Sequence, residues 1–195
     1  MRIESSDATA ARLAEYSRLS IAFEVRSVLE CELLEGGLGG IALTERPVAE
    51  PYVKDYDAIE GEGPTRWARR FDVSRWRLFF AREGEELVGG AVVVLDAPGV
   101  NMLEGRRDLA VLWDFRVHPD HRGQGIGARL FDAAIGWAAG EGAKAMKVET
   151  QNTNVPACRF YASRGCELGA IDRFAYPGLP EEVQLLWYRK LSPSA

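Results

Sequence analysis

The sequence has no long hydrophobic run. Its longest apolar stretches, such as Leu109 to Trp113, fall far short of the ~20 residues that a membrane-spanning helix needs, so no membrane partner is expected. Cysteine is scarce: Cys31, Cys158 and Cys166 are an odd number and form no CxxC pair. That excludes a disulfide scaffold and fits a reducing compartment, so a cytoplasmic location is the expectation. Histidine is scarcer still, with only His118 and His121, in the run His-Pro-Asp-His. One such pair without a third ligand makes a poor metal site, and none is expected. The opening residues, MRIESSDATAARL, carry acids and no apolar core, and do not read as a secretory signal.

Apolar residues make up 47% and charged residues 27% of the 195, an ordinary globular balance. At about 150 residues per domain, the length predicts a single domain over 1–195 with a sizeable core. The net charge of −5 is unevenly placed: residues 1–62 carry six Lys/Arg against 13 Asp/Glu. An acidic segment argues against nucleic acid, whose binding requires phosphate neutralisation. It suits a cationic partner, or a solvated surface.

The patterning predicts a short helix over 8–16, a strand or helix over 20–34 and a strand over 39–45. Residues 47–65, with three prolines and two glycines, read as an acidic loop. Residues 76–82 and 86–95 read as a hairpin, and 98–107 as a loop. Then come a strand over 108–117, a helix over 125–140, a strand over 143–150, a helix over 155–164 and strands over 166–176 and 183–191. Mixed helices and strands with hairpins predict α/β (α+β) architecture and a mixed sheet. The last strand offers an edge that can pair across a two-fold axis, so a homodimer is an expectation.

The densest signal is Arg122-Gly123-Gln124-Gly125-Ile126-Gly127, between a strand and a helix. Glycines allow the chain to turn with positive φ, and successive N–H groups at a helix start favour an anion such as a phosphate or pyrophosphate. The turn lacks the Gly-Lys-Ser/Thr of a Walker loop. A dinucleotide site is a competitor, because Gly123, Gly125 and Ala128 satisfy G-x-G-x-x-A and Glu149 ends the next strand. Against it, five residues separate strand from glycines, and too few elements follow Glu149 to complete a doubly wound sheet.

Val117-His-Pro-Asp-His-Arg-Gly-Gln-Gly-Ile-Gly resembles the Arg/Gln-x-x-Gly-x-Gly/Ala motif of the GNAT N-acetyltransferases. Asn154, Ala157-Cys158-Arg159-Phe160-Tyr161 and Gly165 resemble that family's second conserved block. A narrower resemblance, to streptothricin acetyltransferases, rests on Pro98 to Gly105, Leu112 to Pro119, Val148 to Cys158, Glu182 to Tyr188, Lys54-Asp-Tyr-Asp and Gly63-Pro-Thr-Arg-Trp. Cys166 stands where the broad family usually has Phe.

The resemblance implies a GNAT fold: a mixed, mostly antiparallel sheet flanked by helices and splayed between strands ending near Val117 and Thr150. It implies a core over 76–190 that binds acetyl-CoA and substrate-side elements over 1–75. The reaction implied is acetyl transfer to a primary amine of a small cationic substrate, the β-lysine part of streptothricin in the narrower group. A protein lysine or N-terminal amine, and a non-catalytic coenzyme-binding module, are the alternatives.

The resemblance assigns roles as follows. Backbone of Phe115 and Val117 pairs with the pantetheine arm, and the Val117 N–H faces the thioester carbonyl. Arg122, Gly123, Gln124, Gly125, Ile126 and Gly127 hold the pyrophosphate. Tyr161 protonates the departing thiolate, or packs as an aromatic beside Phe160. Asn154 caps a helix, contacts the coenzyme, or both. An alkyl ammonium, with a pKa near ~10.4, must lose a proton before it attacks. Asp114 and Glu149 are the base candidates, each with an alternative as an ion-pair partner of Arg116 or Lys147. In the acidic loop, Asp55, Asp57, Glu60 and Glu62 would steer a cationic substrate. Tyr52, Tyr56 and Trp67 offer cation–π faces, or simply pack.

Overall fold

The computed structural model describes residues 1–192. The chain divides into two compact units. The first contains Met1–Ala22, Asp55–Val148 and residues 189–192; the second contains Phe23–Lys54 and Glu149–Tyr188.

The first unit is built on β1 (Arg2–Asp7), β4 (Trp76–Glu83), β5 (Glu86–Leu95), β6 (Leu109–Val117) and the first four residues of β7 (Ala145–Gln151), neighbours in that order. The intervening strands β2 (Phe23–Leu34) and β3 (Gly40–Lys54) belong to the second unit. The pairs β1/β4, β4/β5 and β5/β6 are antiparallel, while β6/β7 is parallel. The 126–140 periodicity forms α3 (Ile126–Gly140), which packs on β5 and β4 through Ile126, Leu130, Phe131, Ala134 and Ala138. Two further helices pack together, α1 (Ala10–Tyr16), capped by the Thr9 side chain, and α2 (Pro64–Arg70).

Gly89 and Gly90 show how two layers approach this sheet. A Cβ on Gly90 would lie 2.5 Å from the Tyr16 ring, and one on Gly89 would lie 3.0 Å from Leu130 of α3. Consecutive strand residues face opposite sides, so each glycine admits a different helix. On the Tyr16 side, Leu13, Tyr16, Trp67, Trp76, Leu78, Phe80, Val92 and Val111 form the main core, with Phe71 and Trp113 packed against it. The fold is thus a mixed, mostly antiparallel sheet flanked by helices, as the sequence predicts.

The second unit contains the antiparallel pair β2 (Phe23–Leu34) and β3 (Gly40–Lys54), helix α4 (Val155–Ser163), and the antiparallel pair β8 (Glu167–Asp172) and β9 (Gln184–Lys190). Residues 20–34 resolve as strand from Phe23. Three expectations need correction. Residues 47–54 are strand rather than loop, residues 64–70 are helix, and residues 2–7 form a strand that the patterning did not mark. The strand after α4 is also shorter than 166–176, ending at Asp172.

Candidate active site

Within the first unit, the end of β6 is shaped by hydrogen-bond parity. The His118 N–H donates to the Val88 carbonyl at 2.9 Å, and Gly89 lies opposite Val117, Gly90 opposite Arg116 and Ala91 opposite Phe115. In an antiparallel ladder, bonded and non-bonded pairs alternate. Phe115 and Val117 therefore turn their backbone N–H and C=O groups away from β5, toward the other edge of β6. On that edge the parallel ladder with β7 runs from Leu109–Ala145 to Leu112–Val148, and β6 continues five residues past it. A bulge at Trp113, between the pairs Val93–Leu112 and Val92–Asp114, re-aims the strand just there.

The glycine turn follows. Gly123 and Gly125 have φ of 77° and 79°, and a Cβ on either would meet nothing within 4 Å. The glycines are thus needed for backbone conformation rather than for space. Gly125 is the N-cap of α3, and Ile126, 2% exposed, anchors the first turn in the core, with Gly127 next in the helix. The first N–H groups of such a helix have no intrahelical acceptor and favour an anion. The Arg122 guanidinium braces the turn, donating to the carbonyls of Val117 at 3.1 Å and Ala22 at 2.9 Å. Burial lowers its pKa. Gln124 Nε2 donates to the Asp120 carbonyl at 3.2 Å.

Asp114 and Arg116 share the buried face of β6. Arg116 donates through Nε and Nη2 to the two oxygens of Asp114 at 2.7 and 2.8 Å, and through Nη2 to Asp57 Oδ1 at 3.0 Å. Its Nη1 also reaches the Leu19 carbonyl at 2.8 Å. Tyr16 Oη completes the network with a 2.6 Å bond to Asp114 Oδ1. Burial alone would lower the Arg116 pKa, but the two carboxylates outweigh it and raise it above its ordinary value. The structure thus realises the ion-pair alternative for Asp114.

The other acidic-loop residues are also engaged locally. Asp55 accepts from the Asp57 N–H at 3.0 Å, and Glu62 accepts from Arg70 at 2.7 Å. Glu60 is exposed and Tyr56 half-buried. Trp67 is 5% exposed and sits 5.8 Å from Trp76 and 6.2 Å from Tyr16, inside the aromatic core.

In the second unit, Glu149 is half-buried and faces three neutral donors. Tyr176 Oη donates to Oε1 at 2.5 Å, Gln151 Nε2 to Oε1 at 3.3 Å and Gln184 Nε2 to Oε2 at 2.8 Å. Lys147, the partner considered from sequence, instead pairs with Glu104 at 2.6 Å. Asn154 accepts from the Ala157 N–H at 3.2 Å, the cap that starts α4. Tyr161 lies on α4, 4% exposed, with its ring 5.3 Å from that of Phe160. Lys54 and Glu182 form a largely buried ion pair.

Sequence reasoning missed Tyr16, Tyr176, Gln151 and Gln184. Tyr16, Tyr176 and Gln184 lie 27 to 98 residues from their partners, so no local pattern could mark them. Arg116, two residues from Asp114, and Gln151, two residues from Glu149, each share a strand face with the partner and had a local signal.

Comparison with known proteins identifies the family. The acetyltransferase (GNAT) family model matches residues 44–166. Streptothricin acetyltransferase of Escherichia coli is 30% identical over 169 residues, 85% of this chain and 84% of that protein. Among solved structures, a nourseothricin acetyltransferase superposes with a TM-score of 0.75 at 24% identity, covering 98% of this chain and all of the other. A Bacillus anthracis str. Ames chain described as a streptothricin acetyltransferase, solved with acetyl coenzyme A, gives 0.71 at 24% identity, over 97% of this chain and all of the other. Those two likenesses bear on the fold. With the family model spanning more than half of the chain, and a 30% identical relative spanning most of it, this protein belongs to the GNAT family of acetyltransferases.

Proposed function

We propose that the protein is an acetyl-CoA-dependent N-acetyltransferase that modifies a primary amine of a small cationic substrate, with the β-lysine amine of streptothricin as the acceptor. The carrying observation is the end of β6. Phe115 and Val117 turn backbone groups away from β5, toward an edge where the parallel ladder has already stopped, and the chain then enters a glycine turn that opens a 15-residue helix. An extended amide-bearing arm ending in a pyrophosphate has that sequence of needs: ladder hydrogen bonds, then clustered N–H groups. Bound coenzyme supplies the acetyl thioester.

The chain's own residues do the rest. Phe115 and Val117 bind the arm, and the Val117 N–H polarises the thioester carbonyl; one such donor contributes about 3–4 kcal/mol in other enzymes. The N–H groups of Arg122 to Gly127 hold the pyrophosphate, with the Arg122 side chain bracing the turn from behind. The acceptor ammonium gives its proton to a carboxylate or to water held by one. Its nitrogen then bonds to the carbonyl carbon, and the carbon–sulfur bond breaks. The thiolate takes the Tyr161 hydroxyl proton, and the second proton shed by the acylated nitrogen passes through solvent to restore that hydroxyl.

Of the two carboxylates, Glu149 is the one free to meet the acceptor's ammonium, because Arg116 already compensates Asp114. Asp114 then acts by keeping Arg116 and Tyr16 in place. Asp55 and Tyr56 serve the acceptor side, while Asp57, held by Arg116, and Trp67, packed in the core, support the segment that carries them. The streptothricin reading rests on the E. coli relative.

The test is a free-thiol release assay with acetyl-CoA, comparing streptothricin, free lysine and a lysine peptide. Saturable turnover with streptothricin alone supports the whole reading. Turnover only with the peptide moves the acceptor to a protein amine. Coenzyme binding without turnover of any amine makes the chain a binding module.

A further inference from the structure

The half-buried Glu149 differs from the buried carboxylates Asp114 and Glu182. Asp114 faces Arg116, and Glu182 faces Lys54. Glu149 receives hydrogen bonds from Tyr176, Gln151 and Gln184, none of which carries positive charge. Neutral donors fix the position of a carboxylate without discharging it. Such a group is a receptor awaiting a cation, since a partly desolvated anion gains most from a partner that enters its site.

The donor that organises this group is Tyr176. It sits between β8 and β9, and its hydroxyl both donates to Glu149 Oε1 at 2.5 Å and accepts from Gln151 Nε2 at 2.9 Å. The same residue lines a cavity of about 840 Å³ within the second unit, together with Asn152, Phe174, Glu181 and Val183. That volume falls in the range of about 300–1,000 Å³ usual for small-molecule sites. Phe174 is 85% exposed, with the Arg173 guanidinium 6.0 Å from its ring centroid, and the cavity lining carries Arg46 and Arg173 as well as Glu30 and Glu181.

We propose that Tyr176, with Gln184, is a positioning residue that holds the Glu149 carboxylate as an uncompensated anion for the acceptor's ammonium, and that the segment carrying Tyr176 thereby sets acceptor affinity. This deepens the function proposed above and rests on it. Burial, reinforced by the neighbouring Glu149, raises the Tyr176 pKa, so the hydroxyl remains a donor even where alkyl amines lose their proton.

Calorimetric titration of streptothricin and, separately, of acetyl-CoA into wild type, Tyr176→Phe, Glu149→Gln and the double variant tests this. Both single variants should weaken streptothricin about tenfold or more while leaving acetyl-CoA affinity unchanged. The double variant should bind no worse than Glu149→Gln, because Tyr176 acts through that carboxylate. Gln184→Met, which removes the second donor, should weaken streptothricin as well and replaces Tyr176→Phe should that variant fail to fold. Unchanged streptothricin binding in Tyr176→Phe, or equal losses in the wild-type and Glu149→Gln backgrounds, overturns the proposal while leaving the function standing. Wild type that binds acetyl-CoA but no streptothricin overturns the streptothricin assignment and this proposal together.

Discussion

Tyr16 and Asp114, 98 residues apart, share a 2.6 Å hydrogen bond at the centre of the first unit. It exists because Gly90 lacks a side chain: the Tyr16 ring lies where a Cβ would be, and its hydroxyl reaches the next strand. Asp114 in turn fixes Arg116, and Arg116 fixes Asp57 in the acidic loop. One network thus links α1, β6 and the segment after β3.

Arg116 is the keystone of that network. Its side chain is 1% exposed, and removing it would strand the carboxylate of Asp114, itself 6% exposed. Arg116→Met should cost about 3–5 kcal/mol, the usual result of breaking one side of a buried pair. Tyr16→Phe should cost about 1.5–3 kcal/mol through the lost bond to a charged acceptor. Urea unfolding midpoints measure both, and equal losses would contradict the ranking.

Three glycines separate space from conformation. Gly90→Ala should destabilise by about 1–3 kcal/mol, because a Cβ 2.5 Å from the Tyr16 ring forces the ring off the sheet. Gly136 lies in α3, exposed and with open space around it. Gly136→Ala should therefore stabilise by about 0.5–1 kcal/mol. Gly125→Ala meets no atoms, but its φ of 79° costs an L-residue about 1–2 kcal/mol. As the turn relaxes, acetyl-CoA affinity should fall, which fluorescence titration would show alongside thermal unfolding.

Much of this was legible in the sequence. The glycine turn, β4 to β7, α3 and α4 follow from periodicity and caps, since each is long or sharply bounded. The misreadings have definite causes. Pro47 and Pro51 made 47–54 look like a loop, but β3 belongs to a two-stranded pair, where its outer edge has no further strand among the described residues and tolerates a missing N–H. The register shift between Val25 and Ser27 absorbs residues 48–51. α2 has only seven residues, too few for a helical period to show. At the site, Asp114 stood out as a charge in an apolar run, and its partner Arg116 was two residues away. Glu149 could be flagged, but its neutral surroundings could not, because Tyr176 and Gln184 arrive from 27 and 35 residues downstream.

Tyr161→Phe tests the acid. The substitution keeps the ring that packs beside Phe160 and removes only the hydroxyl. If that hydroxyl protonates the departing thiolate, kcat should fall about 100-fold with little change in acetyl-CoA affinity. A packing residue would instead lower stability and leave kcat near wild type. Stopped-flow thiol release and thermal melts on the same sample separate the two outcomes.

The thiol assay itself needs cysteines that stay silent, and Cys158 should. Burial raises its pKa, against smaller opposing effects from the Thr150 hydroxyl and the backbone. The thiolate is the reactive form, so Cys158 in the folded protein should alkylate far more slowly than in urea at pH 8. The same shift sets a sign for stability. Unfolded chain loses this proton near the ordinary 9.0, whereas folded chain keeps it to higher pH. Below that value both states hold the proton and the group is neutral to stability. Above it the unfolded state gains by ionising, so stability should decline as pH rises past 9.0. Cys158→Ser should flatten that alkaline decline in urea midpoints taken from pH 8 to pH 10, and an unchanged slope would assign the decline to other groups.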